Sequence, residues 1–250
     1  MIANVAIDNQ MAPAKLLLDL GNSDALWLFK TDNDFYIPEK HFEDYLGKGF
    51  SGDIFGKRSR IAKLKMDKFE FQHPIIAFPD STSVKSVNMV KDRAGSIGGE
   101  IFRRLDIVMD YAQGKMYLKK SSHYNAEFQY NMSGIELQNN GMQWVQETVQ
   151  MQTVFMENTY DETGKKDNFK YKFTLKPVFV ISNIRKESPA DLCGLQKGDV
   201  IININNVQGY RYSLQTINQI LKSEDGKWIH LEIERNGKPM KFHFQLKSIL

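Results

Sequence analysis

The sequence predicts a mainly β protein organised as two successive units, and three observations carry that expectation. Short runs rich in Val, Ile, Phe and Tyr recur along the chain with turn residues between them. Stretches with helical periodicity are few and short. The length of 250 residues suits one large domain or two modest ones. A polar break, Lys119-Lys120-Ser121-Ser122-His123, follows a compact strand pair near the middle. The expected units are therefore 1–120 and 125–250.

Composition excludes several classes. Hydrophobic residues make up 42% and charged residues 25%, ordinary values for a chain that buries a core. Lys+Arg 33 against Asp+Glu 30 leaves +3, so no strong field points to nucleic acid or an anionic membrane. The longest apolar runs fall far short of the ~20 residues a transmembrane helix needs. Met1-Ile2-Ala3-Asn4 lacks the basic start and apolar core of a signal peptide. A single cysteine, Cys193, rules out an internal disulfide or a cysteine-based metal cluster.

In chain order, strands are expected at Ile2 to Ile7, Lys15 to Leu18, Phe69 to Phe78, Ile107 to Tyr111 and Lys115 to Leu118. Asp8-Asn9, Gly21-Asn22, Pro79-Asp80 and Gln113-Gly114 supply the turns. Later strands are expected at Val178 to Ile184, Val200 to Ile204, Trp228 to Arg235 and Lys238 to Leu246. The last two are joined by Asn236-Gly237, the strongest two-residue hairpin signal. Helices are expected at Pro38 to Tyr45, Gly99 to Leu105, Ala190 to Cys193 and Ser213 to Lys222. In the last, Ser213 can cap the first turn, and Leu214, Ile217 and Leu221 form one apolar stripe. The segment Glu157 to Lys170, dense in charged residues, Asn and Gly, reads as a solvated hairpin tip or a mobile insertion, not a domain boundary.

Two segments carry chemistry. In Lys15-Leu16-Leu17-Leu18-Asp19-Leu20-Gly21-Asn22-Ser23 an apolar strand runs directly into a carboxylate. Gly21 permits the tight turn that follows, and Asn22 and Ser23 are placed to hydrogen-bond back toward Asp19. Further on come Gly95-Ser96-Ile97-Gly98-Gly99-Glu100-Ile101-Phe102 and Leu105-Asp106-Ile107-Val108-Met109-Asp110-Tyr111. The bland alternative is that Asp19 simply caps a bend between strands.

These landmarks, in this order, resemble one lobe of a retropepsin-like aspartic protease, a β-barrel lobe of the acid-protease type. The resemblance covers about residues 1–120. It implies that Asp19 is the catalytic carboxylate, with Gly21, Asn22, Ser23, Ile97 and Gly98 supporting its loop. It also implies a substrate-covering flap around Gly47 to Gly56, including Ser51 and Gly52. In such enzymes two aspartates share one proton, because like charges that close cannot both ionise. This chain carries one such loop, so the resemblance implies a second lobe, from a preceding domain or a homodimer. Leu20 stands where the family has Thr or Ser, and leucine cannot make the bracing hydrogen bond. A preceding lobe is therefore favoured over a symmetric dimer.

In the second half, Ser188-Pro189-Ala190-Asp191-Leu192-Cys193-Gly194-Leu195-Gln196-Lys197-Gly198-Asp199-Val200-Ile201 reads as a short helix ended by Gly194, then a tight turn into a strand. It resembles the signature of bacterial PDZ domains, β-barrels with two helices, with Cys193 at a small packing position. The resemblance implies strand addition of an extended peptide or a peptide C-terminus between an edge strand and a helix. The corresponding residues are Met132, Ser133, Gly134, Ile135 and Leu137 on the loop and strand side, and Leu214, Ile217 and Leu221 on the helix side, with a place in the core as the alternative for Leu214 and Ile217. Residues 138–177 then form a long insertion carrying Trp144, Phe155 and Tyr160, which either extends the groove or serves as a structural hairpin.

Other chemistries find no support. The five histidines, His41, His73, His123, His230 and His243, lack metal-ligand spacing. His243 alternates with Phe242 and Phe244 and is expected to face solvent. Arg58, Arg60, Lys63 and Lys65 read as a solvated strand face. No metal or cofactor is expected. Two functions remain open: an aspartic peptidase lobe with a PDZ domain that positions polypeptides, or a non-catalytic PDZ scaffold retaining a degenerate lobe. The resemblance implies an exported protein of the bacterial periplasm or envelope.

Overall fold

The computed structural model describes residues 2–7, 10–29, 35–49, 52–84, 92–150 and 169–250. The Asp8-Asn9 turn, Ser51, Phe155, Tyr160 and nearly all of the Glu157 to Lys170 tip lie outside the described residues. The fold is mainly β, as the sequence predicts. Its chain divides into two compact units, Met1–Met132 with Lys247–Leu250, and Ser133–Leu246.

The amino-terminal unit contains β1 (Ile2–Ile7), β2 (Gln10–Leu18), β3 (Leu26–Leu28), β4 (His41–Gly49), β5 (Gly52–Arg60), β6 (Lys63–Met66), β7 (Phe69–Gln72) and β8 (Ile75–Pro79). A short helix α1 (Ser81–Val84), β9 (Gly95–Ile97), a second short helix α2 (Gly99–Phe102), β10 (Leu105–Asp110) and β11 (Lys115–Lys120) follow. Nine of these strands form one sheet in the order β4-β5-β8-β3-β9-β2-β1-β6-β7, and β10 and β11 pair separately. The nine-stranded path runs open from β4 to β7 instead of closing as a barrel, among the described residues. β8 is buried along its whole length between β5 and its parallel partner β3. A strand covered on both faces reads as a continuous apolar run, which Ile75-Ile76-Ala77-Phe78 is.

Two sequence expectations give way here. Pro38 to Tyr45 is not a helix: His41 onward pairs with β5, from His41↔Ser59 to Gly49↔Gly52. Phe42 and Leu46 turn into the core from that strand, so long-range pairing overrides the local pattern. The single strand expected over Phe69 to Phe78 is broken between β7 and β8. His73 adopts φ 52° there, and Pro74 has no N–H to continue a ladder.

A further correction concerns charge. Arg58 does not face solvent. Its Nη1 donates to Asp24 Oδ1 at 2.6 Å, and its Nε donates to Asp44 Oδ2 at 2.6 Å. Burial disfavours the charge, but the two carboxylates outweigh it and hold the guanidinium above its ordinary pKa. Trp27 Nε1 donates to the other oxygen of Asp24 at 2.7 Å, so the β4–β5 hairpin is bonded to the turn that follows Asp19.

Arg104, fully buried, does similar work at the other end of the unit. Its Nη2 donates to Glu100 Oε1 at 2.8 Å and to the Glu127 carbonyl at 3.2 Å. Its Nη1 reaches the carbonyls of His123, Tyr124 and Ala126, and its guanidinium carbon lies 3.7 Å from the Phe128 ring centroid. Residues 121–128 are thereby fastened to α2 and β10.

The carboxy-terminal unit contains β12 (Ile135–Gln150), β13 (Phe169–Ile184), α3 (Pro189–Leu192), β14 (Val200–Ile204), β15 (Val207–Gln208), α4 (Leu214–Leu221), β16 (Trp228–Arg235) and β17 (Lys238–Gln245). The sheet order is β12-β13-β14-β16-β17, with β15 on β14. Asn236 (φ 53°) and Gly237 (φ 75°) make the two-residue turn expected of them. Ser188 Oγ caps α3 through the Asp191 N–H, and Ser213 Oγ caps α4 through the Thr216 N–H. Asp199, buried, accepts from Gln196 N–H and takes Arg235 in a two-point ion pair, both bonds 2.7 Å. That hydrogen bonding raises the Arg235 pKa above its ordinary value.

Removing one partner of a buried ion pair leaves the other charged and unpaired, at a cost of about 3–5 kcal/mol. Arg58→Met is expected to destabilise the amino-terminal unit by about that amount, because two carboxylates lose their cation together. Urea unfolding of the variant checks this, and an unchanged midpoint would show that Asp24 and Asp44 do not depend on Arg58.

Candidate functional site

The first site is the loop that joins β2 to β3. β9 lies between these two strands, parallel to β2 (Leu18↔Ile97) and antiparallel to β3 (Leu26↔Ile97). Asp19 N–H donates to the Ile97 carbonyl at 3.0 Å, so the carboxylate-bearing residue is anchored as the strand ends. Gly98 N–H donates to the Ala25 carbonyl at 3.1 Å, and Gly99 N–H to the Asn22 carbonyl at 2.7 Å. A Cβ on Gly98 would lie 2.4 Å from the Asp24 carbonyl and 2.5 Å from that of Asn22. Only glycine lets the loop approach this closely.

The sequence-derived loop residues therefore meet: Asp19, Gly21, Asn22, Ile97 and Gly98 form one contiguous arrangement. Gly21 N–H donates to Asp19 Oδ1 at 3.0 Å. Asn22 does not turn its side chain to that carboxylate. Its backbone N–H donates to the Asp19 carbonyl, and its Oδ1 accepts from Asp24 N–H at 2.9 Å. Asn22 is buried, and its Nδ2 has no hydrogen-bond partner among the described residues. Ser23 is exposed, and Leu20 at the apex is 72% exposed. Asp24, the other carboxylate of the loop, is occupied by Arg58 and Trp27.

Sequence reasoning missed Arg93. Its Nε donates to the Gly95 carbonyl at 3.0 Å, and its guanidinium carbon lies 5.1 Å from the Phe29 ring centroid. Burial lowers its pKa while the charge of Asp19 opposes the shift. A lone arginine before a small-residue strand gave no signal for this. The expected flap is the β4–β5 hairpin, of which Gly52 is described with φ +119°. Tyr45 and Phe55 pack edge to face along it, ring centroids 5.5 Å apart.

The arrangement presents one carboxylate, half-exposed, with one oxygen fixed by a backbone N–H and the other uncommitted by that bond. A general base alone activates water, but peptide hydrolysis also requires an acid at the carbonyl or leaving amine. Among the described residues, no group of three or more His, Cys, Asp or Glu is placed to hold a metal ion.

The second site lies along β12, the edge strand of the carboxy-terminal sheet, against which α4 packs. Gly134 has φ +82°, and a Cβ there would lie 2.3 Å from the Ser188 side chain. Its carbonyl accepts from Arg185 N–H at 2.9 Å, and the Ser133 carbonyl accepts from Ala190 N–H at 3.1 Å. Ser133 Oγ accepts from Ile135 N–H at 3.0 Å, a side-chain oxygen on a loop amide. Met132 and Ile135 are buried, and Leu137 is half-buried. On the helix, Ile217 and Leu221 are wholly buried core residues and are not open to a ligand. Leu214, half-buried at the start of α4, keeps surface open to solvent. Cys193 is half-buried with Sγ donating to the Ala190 carbonyl, and burial raises its thiol pKa. That combination suits packing and not nucleophilic attack.

Residues 180–235 match the PDZ domain family, so this stretch is a PDZ domain. Comparison with curated proteins gives no match. Among solved structures, the HtrA-type protease AlgW with a decapeptide is similar at 11% identity and a TM-score of 0.34, covering 98% of this chain and 71% of that one. AlgW with a tripeptide is similar at 12% identity and a TM-score of 0.30, covering 98% and 81%. Among the described residues, no helix is long and apolar enough to cross a membrane.

Gly134→Ala combines a left-handed backbone, which costs a residue with a Cβ roughly 1–2 kcal/mol, with a steric overlap on Ser188. The variant is expected to lose at least that much stability and to weaken peptide binding about tenfold or more. Thermal unfolding and anisotropy with a labelled peptide measure both. Wild-type peptide affinity in a folded variant would place recognition away from this loop.

Proposed function

We propose that the chain supplies one catalytic lobe of an aspartic peptidase, with Asp19 as its carboxylate, together with a PDZ domain that holds polypeptide substrates by a terminal or extended segment. The observation that carries this reading is the seat of Asp19. It leaves β2 at the point where β9 passes between β2 and β3, and the Ile97-Gly98 backbone bonds its loop from beneath. The resemblance read from the sequence supports it, and the PDZ match supports a peptide partner.

The mechanism needs a second aspartate close enough to share a proton. One member then activates water while the other donates to the carbonyl oxygen. The second lobe comes from a preceding domain or from another copy of this chain. In that assembly Gly21 N–H and the β9 backbone hold Asp19 in position, and the β4–β5 hairpin covers the substrate. Loop residues 132–135, with β12 and Leu214 of α4, receive the peptide.

The competing reading is a non-catalytic peptide-binding scaffold. The observation favouring it is Leu20, an exposed side chain with no hydroxyl to brace a facing loop.

Asp19→Asn in the native, full-length gene product separates the two. Under the peptidase reading, cleavage of a mixed peptide library falls by about 10²–10⁴-fold, while PDZ peptide affinity and thermal stability stay unchanged. Cleavage that survives the substitution removes Asp19 from the chemistry. A wild type that binds peptide but cleaves nothing supports the scaffold.

A further inference from the structure

β12 and β13 pair well past the PDZ sheet, through Gln150↔Phe169, as a two-stranded arm whose faces differ sharply. Directly paired residues share a face. Met142↔Pro177, Trp144↔Leu175, Gln146↔Phe173 and Thr148↔Tyr171 define one face. On it Trp144 is 69%, Tyr171 64% and Phe173 61% exposed. The opposite face carries Gln143↔Lys176, Val145↔Thr174 and Glu147↔Lys172. There Lys176 pairs with Glu147 at 3.0 Å, and its Nζ lies 5.8 Å from the Tyr210 ring centroid, on the Gly209–Arg211 turn. The polar face is thus engaged by the unit, while large aromatic side chains on the other stand in water. Exposed aromatics gathered on one surface mark interaction sites.

What covers this face follows from the strand that bears it. β12 is one continuous edge, beginning at the 132–135 loop and running into the arm after an irregularity between Asn139 and Met142, where Gly141 has φ +89°. This inference rests on the PDZ peptide-binding reading given above. If the loop holds a terminal carboxylate, the peptide's last residue lies at the start of β12, so the peptide runs antiparallel to β12. Each upstream residue then advances about 3.3 Å along it. Counting from Ile135, and discounting the unpaired residues at Gly141, positions about seven to ten before the terminus lie beside Trp144.

We propose that the arm extends the PDZ groove, and that its aromatic face receives apolar side chains about seven to ten residues upstream of a bound carboxyl terminus. The partner is a long, extended polypeptide tail, apolar at its upstream end, and not a short terminal motif. Main-chain bonds to the β12 edge hold it, and Trp144 and Phe173 select it.

The test uses the whole chain and a display library of random twelve-residue carboxyl termini. A selected twelve-residue peptide and its carboxy-terminal tetrapeptide are titrated against wild type, Trp144→Ala and Phe173→Ser, with circular dichroism to confirm folding. The inference expects apolar enrichment seven to ten positions from the end, and at least about tenfold tighter binding of the longer peptide. It also expects both substitutions to reduce the longer peptide to tetrapeptide affinity while leaving the tetrapeptide unchanged. Equal affinity for both lengths, or equal weakening of both by Trp144→Ala, overturns it with the PDZ reading intact. Equal affinities together with a dimer that Trp144→Ala abolishes in sedimentation assign the face to a second copy and likewise overturn it. Binding of neither length overturns the peptide-binding reading itself and this inference with it.

Discussion

Strand β9 is hydrogen-bonded on both sides, parallel to β2 and antiparallel to β3, and this double pairing governs the amino-terminal unit. The two strands it separates are joined by the Asp19 loop, so the loop must arch over β9 instead of closing as a hairpin. The arch is bonded from below by Asp19 N–H, Gly98 N–H and Gly99 N–H. Main-chain bonds of this kind do not depend on side-chain rotamers, so the sheet positions the Asp19 backbone, and Gly21 N–H holds one carboxylate oxygen. Close approach is the condition, and Gly98 meets it.

Two largely buried cations tie separate segments of this unit together. Arg58 gathers Asp24 and Asp44, and Arg104 gathers Glu100 and a ring of carbonyls. A guanidinium suits such positions because its planar fork satisfies several acceptors in fixed directions while keeping its charge. In the carboxy-terminal unit Arg235 pairs with the buried Asp199, and serine caps and a two-residue turn fix the chain locally.

What was legible in the sequence was what depends on near neighbours. Asn236-Gly237, the Ser213 cap and the Pro189-to-Val200 string each act within a few residues, and the structure forms each of them. The alignment of Asp19 with Ile97-Gly98 was legible through resemblance alone, since nothing local in either segment points to the other. Features set by distant partners were not. Arg58 finds Asp24 across 34 positions, and no local pattern distinguishes it from the solvated strand face expected there. The helix expected at Pro38 to Tyr45 fails for the same reason, because β5 decides it. Ile217 and Leu221 were correctly placed on one helical stripe, but a stripe does not say whether it meets a core or a ligand. The arm was legible as a long insertion over 138–177, but which residues share its exposed face depends on the register between its two strands, which no local pattern gives.

Leu20 stands at the apex of the arch with most of its surface in water. The fold gains almost no stability from it, so drift at this position would be nearly silent in any measure of folding. An apolar contact is also non-directional, unlike a hydroxyl's hydrogen bond. A surface meeting this loop would be gripped without being aligned, and its orientation would have to come from elsewhere along the interface.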